Sequence, residues 1–154
     1  MHDSLKYAVV ERERRFLVAE VPGGVVEVRQ IVDQYLDGTR LRLREVIDAD
    51  GGLTRKLGHK VRLTSGSSEV ACTSVYLDGR EWELLRALPS RTLRKTRYIV
   101  ERDGIRLAVD DLDDGTLLAE IDDGDAPPFA LPDWLKVLKE VTTEEQRTGA
   151  KLAT

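Results

Sequence analysis

Alternation of polar and apolar positions with period two runs through most of the chain. Residues 9–18 read as a strand: valines flank Glu11-Arg12-Glu13-Arg14-Arg15, Phe16, Leu17 and Val18 follow, and no Gly or Pro intervenes. Strand side chains alternate between faces, so Glu11, Glu13 and Arg15 point the same way. Residues 39–44 set Arg40, Arg42 and Arg44 against Leu41 and Leu43. Residues 54–63 set Lys56, Lys60 and Arg62 against Leu57, His59, Val61 and Leu63. Further strands are predicted at 70–77, at 91–100 with Lys95 and Arg97 on one face, at 105–111 with Arg106, Ala108 and Asp110 opposed to Ile105, Leu107 and Val109, and at 117–122 with Leu118, Glu120 and Asp122 opposed to Leu117, Ala119 and Ile121. Gln34-Tyr35-Leu36 is strand-like, and residues 25–32 read as a short helical turn or as the lead into that strand.

Breakers fall between these runs. Pro22-Gly23-Gly24, Asp37-Gly38, Asp50-Gly51-Gly52, Asp103-Gly104 and Asp113-Asp114-Gly115 are turn signals, while residues 64–68 and 123–128 read as loops. The strongest helix signal is 78–88. Asp78 can cap it, Glu81 completes a capping box, Trp82, Leu84, Leu85 and Leu88 form an apolar stripe, and Pro89 stops it. Core packing is the expected task of Trp82. Pro132-Asp133-Trp134-Leu135 reads as the opening of a short helix, and Thr142-Thr143-Glu144-Glu145 as the start of a last one. About eight strands joined by tight turns imply antiparallel pairing. A length of 154 residues suits one domain, 9–154, behind a lead-in at 1–8.

Charge sharpens the picture. The net charge of -4 argues against a nucleic-acid partner, since phosphate backbones are held by surplus Lys and Arg. The bases nevertheless crowd into 40–44, 55–62 and 91–97, which suggests a local anion site. The single cysteine, Cys72, excludes an internal disulfide, and no apolar run approaches membrane-spanning length, so a cytoplasmic protein without a membrane partner is expected. The two histidines, His2 and His59, lack zinc-site spacing, and no phosphate-binding glycine loop or dinucleotide fingerprint occurs.

Two architectures fit the faces. In a filled barrel the apolar residues point inward and the charges are solvated. In a wide barrel the charged faces line a wet tunnel and the apolar faces are covered from outside. A tunnel needs neutralisation, because two like charges at 4 Å cost about 4 kcal/mol at an effective dielectric of ~20. Linked phosphates suit the arginines, whose planar forks bind oxygens in pairs, and Mg²⁺ or Mn²⁺ suits the carboxylates.

Taken in order, Glu11-Arg12-Glu13-Arg14-Arg15-Phe16-Leu17-Val18, Arg40-Leu41-Arg42-Leu43-Arg44, Leu57-Gly58-His59-Lys60, Lys95-Thr96-Arg97-Tyr98, Val109-Asp110 and Ala119-Glu120-Ile121-Asp122 resemble the CYTH superfamily, the triphosphate tunnel metalloenzymes. Tyr76-Leu77 and Trp134 ahead of Glu140-Val141-Thr142 are similar to family features as well. The resemblance implies an α+β fold: an eight-stranded antiparallel β-barrel forming an open tunnel, with helices packed outside. It implies metal-dependent hydrolysis of a triphosphate, inorganic triphosphate first and nucleoside triphosphate second. A class IV-type adenylate cyclase and a non-catalytic polyphosphate- or nucleotide-binding module are the alternatives. Carried over by position, Glu11, Glu13, Glu120 and Asp122 are the expected metal carboxylates, with Asp110 a further ligand or orienter. Arg15, Arg42, Arg44, Lys60, Lys95 and Arg97 are the expected phosphate binders, Arg40 and Arg62 share their faces, and Glu11, Glu13, Arg15 and Lys60 are the expected catalytic group. Three positions depart from the family pattern. Arg15 stands where the first motif usually ends in Lys, Asp122 where a glutamate is usual, and Arg147 near a usual tyrosine.

Overall fold

The computed structural model of the chain describes residues 5–63, 68–144 and 148–154. His2, Glu145, Arg147 and most of the expected 64–68 loop lie outside the described residues. The described residues form nine strands: β1 (Val9–Val18), β2 (Val25–Leu36), β3 (Leu41–Asp48), β4 (Leu53–Arg62), β5 (Glu69–Tyr76), β6 (Ser90–Arg102), β7 (Ile105–Leu112), β8 (Leu117–Asp122) and β9 (Val137–Glu140). Helix α1 (Gly79–Arg86) joins β5 to β6, and α2 (Gly149–Leu152) lies near the C-terminus.

Every pairing is antiparallel, in the order β5-β4-β3-β2-β6-β7-β8-β1, and β1 returns to β5 to close an eight-stranded barrel. The closure uses only the first part of β1, Val9 to Arg12 against Glu69 to Cys72. Farther along the same edge, Phe16 to Val18 pairs with β9. In this closed ring β1 and β2 stand opposite each other, with three strands between them either way. The Asp103-Gly104 hairpin works as its sequence demands, with both residues at positive φ, 52° and 76°.

Two segments differ from expectation. Residues 25–36 are one continuous strand with no helical turn. Val25, Val26, Val28, Ile31 and Val32 favour the pleated conformation, and β3 and β6 pair with both edges of the strand. Residues 132–135 make a turn, Leu135 N–H donating to the Pro132 carbonyl, and the chain then enters β9. The free edge of β1 captures it: Ala19 N–H donates to the Lys136 carbonyl and Val141 N–H to the Arg15 carbonyl. Val141 and Thr142 are buried there, and no helix begins at 142.

The principal apolar cluster lies outside the barrel wall. Phe16, Val18, Val100, Val109, Ala119 and Ile121 pack under Leu131, Trp134 and Leu135, so this cover is a loop and not a helix. A second cluster joins Leu36 and Leu43 to Trp82 of α1. Helix α1 starts with the expected capping box, Asp78 accepting from Glu81 N–H while the Glu81 side chain accepts from Asp78 N–H. Only part of its apolar stripe is buried: Trp82 is 3% exposed, but Leu84 is 65% and Leu88 47%. Among the described residues no helix is long and apolar enough to cross a membrane.

Trp82→Ala should lower the unfolding free energy by about 3–5 kcal/mol, whereas Leu84→Ala should change it by under ~0.5 kcal/mol. Urea denaturation of the two variants checks this, and equal losses would contradict the observed packing.

Candidate active site

The charged strand faces look inward. One cavity of about 670 Å³ is bordered by Glu11, Glu13, Arg15, Arg42, Arg44, Lys60, Lys95, Arg97, Glu120 and Asp122, and also by Arg40 and Arg62. The wet tunnel is therefore the architecture, and the filled barrel is not. Ring order separates the signs: β1 and β8 supply the carboxylates, and β3, β4 and β6 supply most of the cations. Beside the cavity-lining Arg42 and Arg91, Tyr35, Leu93 and Leu112 pack on Leu152 and Ala153 of the C-terminal segment. Thr92 and Thr154 exchange backbone hydrogen bonds there, and Arg91 donates to the Ala150 carbonyl. An added Cβ on Gly149 would collide with the Tyr35 hydroxyl, so glycine lets α2 seat.

Two fully buried aspartates organise the basic wall. Asp33 on β2 lies opposite Arg44 of β3 and accepts from its Nε at 2.7 Å and Nη2 at 2.8 Å. Asp110 on β7 holds Arg97 in the same bidentate way, at 2.7 and 2.8 Å. Lys95 Nζ stands between them, 2.9 Å from Asp110 and 3.8 Å from Asp33. Burial would raise both carboxyls, but Arg44, Lys95 and Arg42 around Asp33, and Lys95 and Arg97 around Asp110, hold them far below the usual range. Burial pulls the Lys95 ammonium down despite Asp110, whereas Asp110 carries the Arg97 guanidinium up against burial. Arg42 crosses to the next strand over Gly58, its cross-strand partner, where an added Cβ would stand 3.3 Å from Nη2. Its Nε and the Nη1 of Arg15 are buried without a hydrogen-bond partner among the described residues.

On the acidic side Lys60 Nζ lies 3.1 Å from Glu13 and 4.0 Å from Glu11. Burial and then Glu13 push the Glu11 carboxyl up, against Lys60. Burial would raise Glu13 too, but Lys60 and a hydrogen bond from Glu11 bring it down to about 2. Glu13 pairs with Asp122 and Arg15 with Glu120 across the β1–β8 ladder, so all four expected metal carboxylates border the cavity from two neighbouring strands. Glu120 also accepts from Arg97 at 3.3 Å, and Asp122 Oδ1 accepts from Arg12 and Gly124 N–H. No three His, Cys, Asp or Glu side chains among the described residues converge on one point. The donor chemistry nonetheless fits a hard divalent cation, because Glu11 and Glu13 crowd each other and share one ammonium. Asp110, expected as a further ligand or an orienter, has both oxygens engaged by Lys95 and Arg97 and does not border the cavity, an arrangement that suits an orienter better than a ligand.

Residues outside the expected site set also contribute. Asp33 falls in a stretch whose sequence leaves strand and helical turn open; the alternation Ile31, Asp33, Tyr35 within one long strand is the signal it offers. Lys56 shares its predicted face with Lys60 and Arg62 but is not among the expected site residues. It borders the cavity with no carboxylate at ion-pair distance among the described residues, and burial and then Arg44, Arg42 and Arg97 lower its pKa. Cys72 and His59 border the cavity as well, and burial pushes the Cys72 thiol up to about 11, which leaves it protonated and unreactive near neutrality.

The depressed carboxyls give stability a defined acid dependence. Folded values below the ordinary 3.8 of Asp33 and Asp110 and 4.5 of Glu13 mean that the unfolded chain binds protons first as pH falls. Their contribution is complete above those ordinary values and is lost progressively as pH falls from them through the lower folded values. The urea midpoint should therefore fall steadily from about pH 5 down to about pH 2, and less so in Asp33→Asn.

No family model matches the chain, and no curated protein matches it. Solved structures do share its fold. Two crystal structures of NE1496, described in one case as a hypothetical protein and in the other as an inorganic triphosphatase, superpose with TM-scores of 0.59 and 0.56 at 22% and 23% identity. They cover 93% of this chain and 97% and 93% of their own. The PH1012 protein of Pyrococcus horikoshii OT3 follows at a TM-score of 0.55 and 15% identity, over 73% of this chain and 77% of its own. At these identities the likeness establishes the fold, a closed antiparallel barrel around a charged bore.

Proposed function

We propose that the chain is a divalent-metal-dependent triphosphatase, with inorganic triphosphate the favoured substrate and nucleoside triphosphates the next. The observation that carries the reading is one cavity bordered both by a crowded carboxylate pair and by Lys56 and Arg40, cations with no carboxylate at ion-pair distance among the described residues. A highly charged anion together with a hard cation would neutralise both at once. The fold shared with a protein described as an inorganic triphosphatase supports it.

Glu11 and Glu13, with Glu120 and Asp122, would hold Mg²⁺ or Mn²⁺, which when bound supplies a Lewis acid for the phosphate oxygens and lowers the pKa of water. Arg42 and Lys56 would bind the phosphate chain from the opposite side, and Arg44, Lys95 and Arg97 would fix the positive field behind it. Lys60, already in hydrogen-bond contact with Glu13, would bridge from carboxylate to phosphate. Charge developing on the transferring and leaving groups then meets donors that are already in place.

Phosphate release from triphosphate in the presence of Mn²⁺ should fall at least about a hundredfold in Glu13→Gln, the scale on which loss of one electrostatic contact acts. Equal rates would refute the assignment. Formation of cyclic AMP and pyrophosphate from ATP would show a cyclase instead, and thermal stabilisation by triphosphate without release would show a binding module. Gly58→Val should raise KM by about tenfold by displacing Arg42, with a smaller change in kcat, as steady-state kinetics can read.

A further inference from the structure

One sulfur stands among the oxygens of the acidic wall. Cys72, the only cysteine of the chain, is half-buried on β5 and borders the same cavity as Glu11, Glu13 and Lys60. Its position follows from the ladders on either side. Cys72 lies opposite Val9 of β1 and opposite Lys60 of β4, and Glu11 is the next residue after Val9 on the same face of β1. The thiol is thereby brought into hydrogen-bonding contact with the Glu11 carboxyl, which is itself bonded to Glu13. Lys60 Nζ, 3.1 Å from Glu13 and 4.0 Å from Glu11, is the cation that the two carboxyls share. A further contact of the sulfur, with the Val70 carbonyl, is long at 3.8 Å, and a thiol is a weak donor, so little holds it back from a cation placed at Glu11.

The carboxylates alone describe a site for a hard cation, and a neighbouring thiol changes that. Mg²⁺ and Mn²⁺ gain little from sulfur, whereas Zn²⁺ takes thiolate and carboxylate ligands together. We infer that Cys72 is a further metal ligand, which with Glu11 and Glu13 makes this side of the cavity a thiolate–carboxylate site for Zn²⁺, favouring thiophilic over hard divalent cations. The inference rests on the reading of Glu11 and Glu13 as cation ligands. With Lys60 on the carboxyls the three side chains do not converge on one point. A divalent cation displaces that ammonium and frees both carboxylates to turn toward the sulfur. The thiol gives up its proton to solvent as the sulfur–metal bond forms, and no electrons are transferred. Zn²⁺ and a hard cation compete for the same carboxylates, and the extra ligand favours Zn²⁺.

Because the chain has one cysteine, the wild-type protein carries its own spectroscopic test. Co²⁺, a probe for Zn²⁺, should give a thiolate-to-metal charge-transfer band in the near ultraviolet at one equivalent, and added Zn²⁺ should abolish it. The band should be lost in Cys72→Ser and in Glu11→Gln combined with Glu13→Gln. In calorimetric titrations the Zn²⁺ affinity should fall at least about tenfold in Cys72→Ser, since even an outer-shell partner of a metal ligand is worth about ten- to a hundredfold. The Mn²⁺ affinity should change by less than about twofold. A wild type without the band overturns the inference, and this is read whether or not a variant folds. Equal Zn²⁺ affinity in Cys72→Ser overturns it too, as does a band that persists in the double glutamine variant. A wild type that shows the band but releases no phosphate from triphosphate refutes the triphosphatase reading alone. One that releases phosphate with Mn²⁺ but shows no band refutes the inference alone. One that binds neither Mn²⁺ nor Co²⁺ refutes both.

Discussion

The constraint on which this structure depends is the neutralisation of a charged interior. Barrel closure puts residues from β2, β3, β6 and β7 on one inner wall, and those positions are Asp33, Arg44, Lys95, Arg97 and Asp110. Without the two aspartates, three cations would face one another at low dielectric. With them, each carboxylate accepts a bidentate fork and they share an ammonium, so the wall becomes a fixed lattice. Such pairs are a weak source of net stability, because desolvation consumes most of the Coulombic gain, yet removing one partner costs about 3–5 kcal/mol. Their contribution here is orientation.

The same constraint turns the hydrophobic arrangement inside out. A bore lined with ions cannot hold the apolar core, so the apolar faces of the strands look outward and need a cover. The chain supplies two among the described residues. The 131–135 loop closes over Phe16, Val109 and Ile121, and α1 places Trp82 on Leu36 and Leu43, whereas the C-terminal segment packs on the inward-facing Tyr35, Leu93 and Leu112. Strand β9 is part of this arrangement, since it satisfies the edge of β1 that β5 leaves unpaired, where an open ladder would otherwise invite other strands.

Much of this was legible because the code for a strand is local. Arg40 to Arg44 alternates strictly, Ala119 to Asp122 does so over a shorter run, and the turns before them carry Gly38 and Gly115 at positive φ. The capping box of α1 was readable for the same reason. What was hidden depends on partners distant in sequence. Residues 25–32 carry no clean alternation, and their strand is settled by ladders to β3 and β6. Pro132-Asp133 is as good a turn opening as a helix opening, and the free edge of β1 decides between them. Asp33 shares its face with Ile31 and Tyr35, so it breaks the sorting by sign that revealed the other inward positions. Asp110 was visible as an inward acid, but its role follows from Lys95 and Arg97 across the ladder.

The contrast between fixed and free charges bears on how the site would act. Arg44 and Lys95 are buried, Arg97 is half-buried, and all three are clamped, so their field is set before any ligand arrives, which is the condition for electrostatic stabilisation without reorganisation. Lys60 is different. Its ammonium is partly exposed and held by Glu13, the carboxylate with the strongest claim to a cation. A cation bound at Glu11 and Glu13 would release Lys60 from that contact, and a phosphate chain is the anion nearest to receive it. Under the proposed function the two bindings are therefore linked, each removing a cost that the other would otherwise meet, and by the reciprocity of linkage the effect must run equally in both directions.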